Sequence, residues 1–341
     1  MLPIKTTREV VHVNDTELLK IEDLQTSFQT KRGVVRAVDG VSFSIAPGET
    51  LGIVGESGCG KSMTALSVMG LLEKNGKVTR GSIVFDGQNL LALSSRQRRS
   101  MCGDKLSMIF QEPMTSLNPV QTVGHQVRET LMVHGQVKTR DEAKARIIDL
   151  FRQVGIPDPE RRYNSYPHQL SGGLRQRVMI AMAMACEPKL LIADEPTTAL
   201  DVTIEAQILH LMRKLSREHN TAVMMITHNL GVVAEICDRV CVMYAGKIVE
   251  QAEVHELFRN PIHPYTNGLL RSLPKMQSGQ ERLYNIRGMV PDLVNMPAGC
   301  RFAPRCDHAC ARCREEEPQL IDVGNNHLVR CFCRGEEDRH G

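Results

Sequence analysis

The chain has 341 residues, 42% of them hydrophobic, and its 42 Lys and Arg against 39 Asp and Glu leave a net charge of +3. That length implies one large domain with an appendage or two modest ones, and that hydrophobic fraction excludes a disordered chain. So small a charge implies neither a nucleic-acid nor a membrane-surface partner, and the basic stretch 96–99 reads as a solvated helix face.

Residues 1–10 lack the apolar core of a signal peptide, so 1–18 reads as an N-terminal extension and the chain is expected to stay in the cytosol. Apolar runs predict strands over 19–28, 34–45 and 82–85, with Pro47-Gly48 and Asp86-Gly87 as turns. Short buried strands are predicted over 50–54, 106–110, 189–193, 222–226 and 239–244. Helices are predicted over 61–72, 140–154, 173–186 and 204–217, the last placing Ile204, Ile208, Leu211 and Leu215 on one face. The longest apolar run, 178–186, is far short of the ~20 residues needed to cross a bilayer. The alternation is that of an α/β fold. Helical patterns predominate from 111 to 166, which predicts a helical subdomain over about 112–186 inserted into a core spanning 19–275. Past Pro274 the periodicity fades, giving a boundary near 275 and a small Cys-rich tail over 276–341. Six of the 11 cysteines fall between Cys300 and Cys333, many for a chain in a reducing compartment.

The sharpest motif is Gly55-Glu56-Ser57-Gly58-Cys59-Gly60-Lys61-Ser62, which fits G-x-x-x-x-G-K-[ST] between a predicted strand and a predicted helix. Its backbone N–H groups and the helix dipole favour phosphates, Lys61 reaches the β and γ phosphates, and the Ser62 hydroxyl takes a place on Mg²⁺. A second apolar strand ends in Asp194-Glu195. Asp194 suits a water-mediated hold on Mg²⁺, and Glu195 suits polarising the attacking water.

Leu170-Ser171-Gly172-Gly173-Leu174 then opens a helix, and here the chain resembles the ATP-binding-cassette (ABC) family, whose signature reads LSGGQ. The resemblance runs in chain order from residue 19 to about 250 and implies a P-loop α/β core with an antiparallel β subdomain and a helical subdomain. It places Phe28 as the aromatic on adenine, Gln111 in the Q-loop, Ala199-Leu200-Asp201 in the D-loop at the dimer interface, and His228 as the switch histidine beside the catalytic Glu195. ATP contacts are then expected from Phe28, from Gly55, Ser57, Gly58, Cys59 and Gly60, and from Lys61, Ser62, Met63 and Gln111, with Mg²⁺ on Ser62, Gln111 and Asp194. Ser171, Gly172 and Gly173 would act on ATP held by a facing subunit. Three positions depart from the family pattern: Leu174 replaces Gln, Asn229 replaces Asp, and Cys59 stands where Ser is common and could make the loop oxidisable.

Residues 263–274 and the tail are similar to ATPases of dipeptide and oligopeptide importers within the peptide/nickel family, extending the resemblance over nearly all the chain after residue 18. The resemblance implies a second ATPase subunit forming a heterodimer, two transmembrane permeases and an extracytoplasmic peptide-binding protein. It places the chain at the cytoplasmic face of the inner membrane, held there peripherally by the permeases. It also implies a [4Fe–4S] cluster on Cys300, Cys306, Cys313 and Cys331, spaced C-x5-C-x6-C-x17-C. On chemistry alone four thiolates suit structural Zn²⁺ equally, and Cys310 and Cys333 could substitute. Nickel or other small-solute import stays open, as does a soluble non-transport ABC ATPase. Against the soluble class, the interval between phosphate loop and signature lacks sustained heptads.

Overall fold

The computed structural model describes residues 17–111, 116–198, 200–273 and 284–333. Residues 1–16, Ala199 and the boundary expected near 275 lie outside the described residues, as do 112–115 at the start of the expected helical subdomain.

Two sheets frame the molecule. Strands β1 (Leu19–Thr30), β2 (Gly33–Ile45), β4 (Gly76–Phe85) and β5 (Gln88–Asn89) form an antiparallel sheet in the order β2-β1-β4-β5. The larger sheet contains β3 (Thr50–Val54), β6 (Leu106–Ile109), β7 (Leu190–Asp194), β8 (Ala222–Thr227), β9 (Arg239–Tyr244) and β10 (Lys247–Glu253). Strands β11 (Ile321–Asp322) and β12 (Leu328–Val329) complete it, in the order β11-β12-β10-β9-β3-β8-β7-β6. Strands β9, β3, β8, β7 and β6 run parallel, and β7 and β8 are buried at every residue, as continuous apolar runs demand.

Helix α1 (Lys61–Met69) is shorter than its periodicity predicts because Gly70, at φ +70°, caps it in the left-handed region. The basic stretch is not merely a solvated face. It lies in α2 (Ser95–Met101), and Arg98 turns inward to donate to the carbonyls of Ser67 and Val68 at the end of α1. Cations belong at helix carboxyl ends for this reason.

The helical subdomain is built from α3 (Val123–Val133), α4 (Arg140–Gln153) and α6 (Gly172–Met184), with the short α5 (Pro159–Arg162) between them. Val127, Leu131, Ile147, Phe151 and Val178 fill its interior, and that core runs on under β7 and β8 to α7 (Val202–His219). Among the described residues no helix is long and apolar enough to cross a membrane.

The tail shares the core of the large sheet. Strand β12 pairs with β10, Val329 lying opposite Glu250, while Phe302, Ile286 and Tyr265 join one buried cluster with β9 and β10. Tyr265 lies on α10 (Pro264–Arg271), which follows α8 (Leu230–Ile236) and α9 (Val254–Arg259). Beneath this junction the Glu250 side chain is fully buried and accepts from the backbone N–H groups of Ile262 and His263 and lies 2.8 Å from His327 Nε2. Burial alone would lower the pKa of His327, but Glu250 and then Glu256 outweigh it and raise the ring above its ordinary value. The pair's contribution to tail docking is therefore fully present below about pH 6.5 and is lost as pH rises through the raised folded value. Replacing His327 by Gln is expected to lower the melting temperature by about 2–4 °C below that pH and to have less effect above it, as thermal melts across pH 5.5–8.5 would check.

Candidate functional site

Strand register assembles the site. Val54 lies opposite Thr227 on β8, and Ile226 lies opposite Asp194 on β7, whose Ala193 faces Ile109 on β6. The four strands thus deliver Gly55, His228, Glu195 and Gln111 to one carboxyl edge, the usual ligand edge of a parallel sheet. Gly55 must be glycine, since a Cβ there would meet the Met243 carbonyl oxygen at 2.1 Å. Gly60, at φ +107°, is likewise fixed by the Ala37 carbonyl 2.3 Å from its Cβ position. Between them Ser57 and Gly58 are exposed, leaving the middle of the loop open to a ligand.

Lys61 is 5% exposed and curls back over the loop, donating from Nζ to the carbonyls of Gly55 at 2.7 Å and Glu56 at 3.2 Å. Beside it the Ser62 hydroxyl donates to Asp194 at 3.1 Å. The Cys59 thiol is fully buried and burial pushes its pKa up, with Lys61 opposing. Burial and the raised pKa both disfavour the thiolate, the reactive form, and so weigh against an oxidisable loop.

Glu195 departs from β7 at φ +45°. Its carboxylate accepts from Gln111 Nε2 at 2.9 Å and from the Thr198 hydroxyl at 3.1 Å, with His228 Nδ1 3.1 Å from its other oxygen. Burial acts to raise its pKa, but His228 first and Thr198 next hold it below the usual carboxylate range. Asp194 moves the other way, pushed up by burial and by the neighbouring Glu195 charge against the Ser62 hydrogen bond. Adjacent carboxylates of unlike character suit one to meet a cation and the other to stay ionised toward water.

An apolar cavity of about 340 Å³ lies against the small sheet. Phe28 and Met63 line it as expected, joined by Val35, Ala37, Leu66 and Leu72, which carry no motif and escaped sequence reasoning. Strand alternation on β2 is the one signal that could have found Val35 and Ala37 together. A Cβ on Gly76 would meet the Phe28 ring at 2.4 Å, so that glycine allows the ring its place.

Ser171, Gly172 and Gly173 open α6 away from these contacts. The Ser171 side chain accepts from the Leu174 N–H, and Gly172 and Gly173 face Leu200 and Ile204. Asp201 caps α7 through the Ile204 N–H at 3.0 Å. The departures from pattern have structural uses: Leu174 packs on the helical core, and Asn229 caps α8 through the Gly231 N–H.

In the tail, Cys300, Cys306, Cys313 and Cys331 line one small pocket, together with Cys333. Cys310 and Cys333, the spare pair in the sequence reading, stand closest to Cys313, the three sulfurs lying within 4.8 Å of one another. Burial pushes Cys313 and Cys331 up to about 12, a bias that a bound cation reverses by stabilising thiolate. Among the described residues Cys310, Cys313 and Cys333 are the group close enough to share one ion, so of the four ligands expected only Cys313 belongs to it.

Comparison with known proteins agrees with this geometry. The family model described as ABC transporter matches residues 38–198, and that described as the oligopeptide/dipeptide transporter C-terminal region matches residues 249–313. A probable peptide ABC transporter ATP-binding protein of Sinorhizobium fredii is 55% identical over 94% of this chain and 96% of its own length. The oligopeptide transport ATP-binding protein AppD of Bacillus subtilis is 50% identical over 94% of this chain and 98% of its own. The dipeptide transport ATP-binding protein DppD of Escherichia coli is 50% identical over 92% and 96%. Among solved structures, the dimeric post-hydrolysis state of the ATP-binding cassette MJ0796 bound to ADP and Pi is 27% identical. It covers 69% of this chain and 98% of its own, at a TM-score of 0.63. With a glycine-rich loop, a carboxylate pair and His228 on one sheet edge, and relatives at half identity over nearly its whole length, the chain belongs to the ATP-binding-cassette family, as an ATPase subunit carrying the oligopeptide/dipeptide transporter C-terminal region.

Proposed function

We propose that this ATPase powers the import of peptides, with Glu195 as the base that orients water toward the γ-phosphate. The observation that carries the catalytic reading is the grip of Gln111, Thr198 and His228 on Glu195, beside the Ser62–Asp194 pair. An ionised carboxylate accepts hydrogen bonds only, so in exchange for these donors it can take a water proton and aim the oxygen. Lys61 leaves its two loop carbonyls for phosphate oxygens, and Phe28 stacks on the base. Ser62, Gln111 and Asp194 would hold Mg²⁺, which would supply positive charge to neutralise the phosphates.

Ser171, Gly172 and Gly173 are read as acting across an interface, on ATP held by a second ATPase subunit, with Asp201 at the same junction. The exposure of Ser171 and Gly172 and the dimeric state of the solved cassette support this. ATP shifts such a dimer only by its differential affinity for the closed state. Permease subunits then place the chain peripherally at the inner membrane's cytoplasmic face, facing an extracytoplasmic binding protein. Peptide as cargo rests on the relatives' names and on the C-terminal region match. The tail is read as holding a [4Fe–4S] cluster on Cys300, Cys306, Cys313 and Cys331; the convergence of these thiols on one pocket supports it. Such a group would crosslink a tail that has no separate core.

Glu195→Gln is expected to reduce turnover about 10²–10⁴-fold while ATP binding and dimer closure persist, measured by phosphate release and nucleotide-dependent gel filtration. Phe28→Ala should weaken ATP by about tenfold, as loss of one stacking contact predicts, with a smaller effect on turnover at saturation. Anaerobic purification should give a brown protein with about four irons and four acid-labile sulfides per chain. Stoichiometric zinc without sulfide would replace the cluster reading.

A further inference from the structure

The tail reaches back to the phosphate loop. Between Cys300 and Cys306 the sequence is Arg301-Phe302-Ala303-Pro304-Arg305, and its three large side chains all engage the nucleotide-binding core. Phe302 packs edge-on against Tyr244, with ring centroids 5.2 Å apart, and lies 5.4 Å from Tyr265. Arg301 donates to Asp39 on β2 and to the Ala245 carbonyl. Arg305, with its side chain 4% exposed, lays a two-pronged guanidinium on Glu56: Nη1 to Oε2 at 2.6 Å and Nη2 to Oε1 at 3.0 Å.

Glu56 is the second residue of the phosphate loop, and each of its polar groups is held. Its side chain takes Arg305, its N–H donates to the buried Tyr265 hydroxyl at 2.8 Å, and its carbonyl accepts from Lys61 at 3.2 Å. The remaining Arg305 donors go to the carbonyls of Arg287 and Ile286 and to the Tyr244 hydroxyl, so the guanidinium itself has no slack. A forked arginine fixes the plane of a carboxylate as well as its position, which a lysine cannot do. Removing one member of such a pair leaves the other charged and partly buried, so the loop must move.

We propose that Arg305 and Tyr265 are positioning residues for ATP binding, holding the phosphate loop through Glu56 in the shape that receives phosphates. Because Arg305 adjoins Cys306, a group bound by the tail cysteines would also steady this clamp.

This inference rests on the ATP-site reading above, so the test separates the two. In the full-length chain, Arg305→Gln and Glu56→Gln are each expected to raise the KM for ATP about tenfold and leave kcat within about threefold. The double variant should be no weaker than the weaker single, since both remove one interaction. Arg305→Lys should restore only part of the affinity. A merely structural role would lower melting temperature or iron content and leave KM unchanged, so both are measured on the same preparations. Tyr265→Phe, which removes one hydroxyl, tests the other arm should Arg305→Gln fold poorly, and it too should raise KM. Unchanged KM in both the Arg305 and Tyr265 variants, or additive effects of Arg305 and Glu56, would overturn the clamp. Lys61→Ala binding a fluorescent ATP analogue as wild type would instead overturn the ATP-site reading itself.

Discussion

The parallel register of β3, β8, β7 and β6 governs the molecule, because everything chemical depends on where these strands stop. Val54, Thr227, Asp194 and Ile109 end side by side although they come from distant parts of the chain. A one-residue slip would turn alternate side chains to the opposite face and carry Asp194 away from the Ser62 hydroxyl. Burial on both faces prevents that slip, since β7 and β8 have no solvent side to offer a polar residue.

On this edge two neighbouring acids are driven apart in character. Asp194 is pushed up by burial and by its neighbour, whereas His228 and then Thr198 hold Glu195 down despite its own burial. Around its carboxylate, Gln111 comes from the β6 exit, Thr198 from its own β7 turn and His228 from the β8 exit. The carboxylate is therefore the point at which these three connections meet.

The carboxyl-terminal region is bound into the same framework. Strand β12 extends the large sheet at β10, His327 meets the buried Glu250, and the Tyr244, Tyr265 and Phe302 rings pack together beside the phosphate loop. A boundary near residue 275 separates compositions, then, more than it separates packed units. Two arginines flanking Phe302 carry the contact from the cysteines to the core.

Local signals were legible in the sequence. Apolar runs and their turns located β1, β2, β3, β8 and β9 almost to the residue, and the glycine-rich loop and the acidic pair could be read as chemistry because each is a short contiguous pattern, whereas His228 came only with the family resemblance. Strand β10 was missed because Lys247, Glu250 and Gln251 break its apolar run, and only folding reveals that Glu250 is buried against His327. Strands β11 and β12 are too short to carry a period, and the apolar partners of Phe28 carry no motif. The sequence alone determined the family of chemistry, since phosphate binding needs a local run of backbone N–H groups. Tertiary structure alone decided that Gln111 and His228 meet on Glu195, that Cys59 is buried in one core cluster with Met243, and that Arg305 lies on Glu56. Those are contacts between residues far apart in the chain, and no local pattern encodes them.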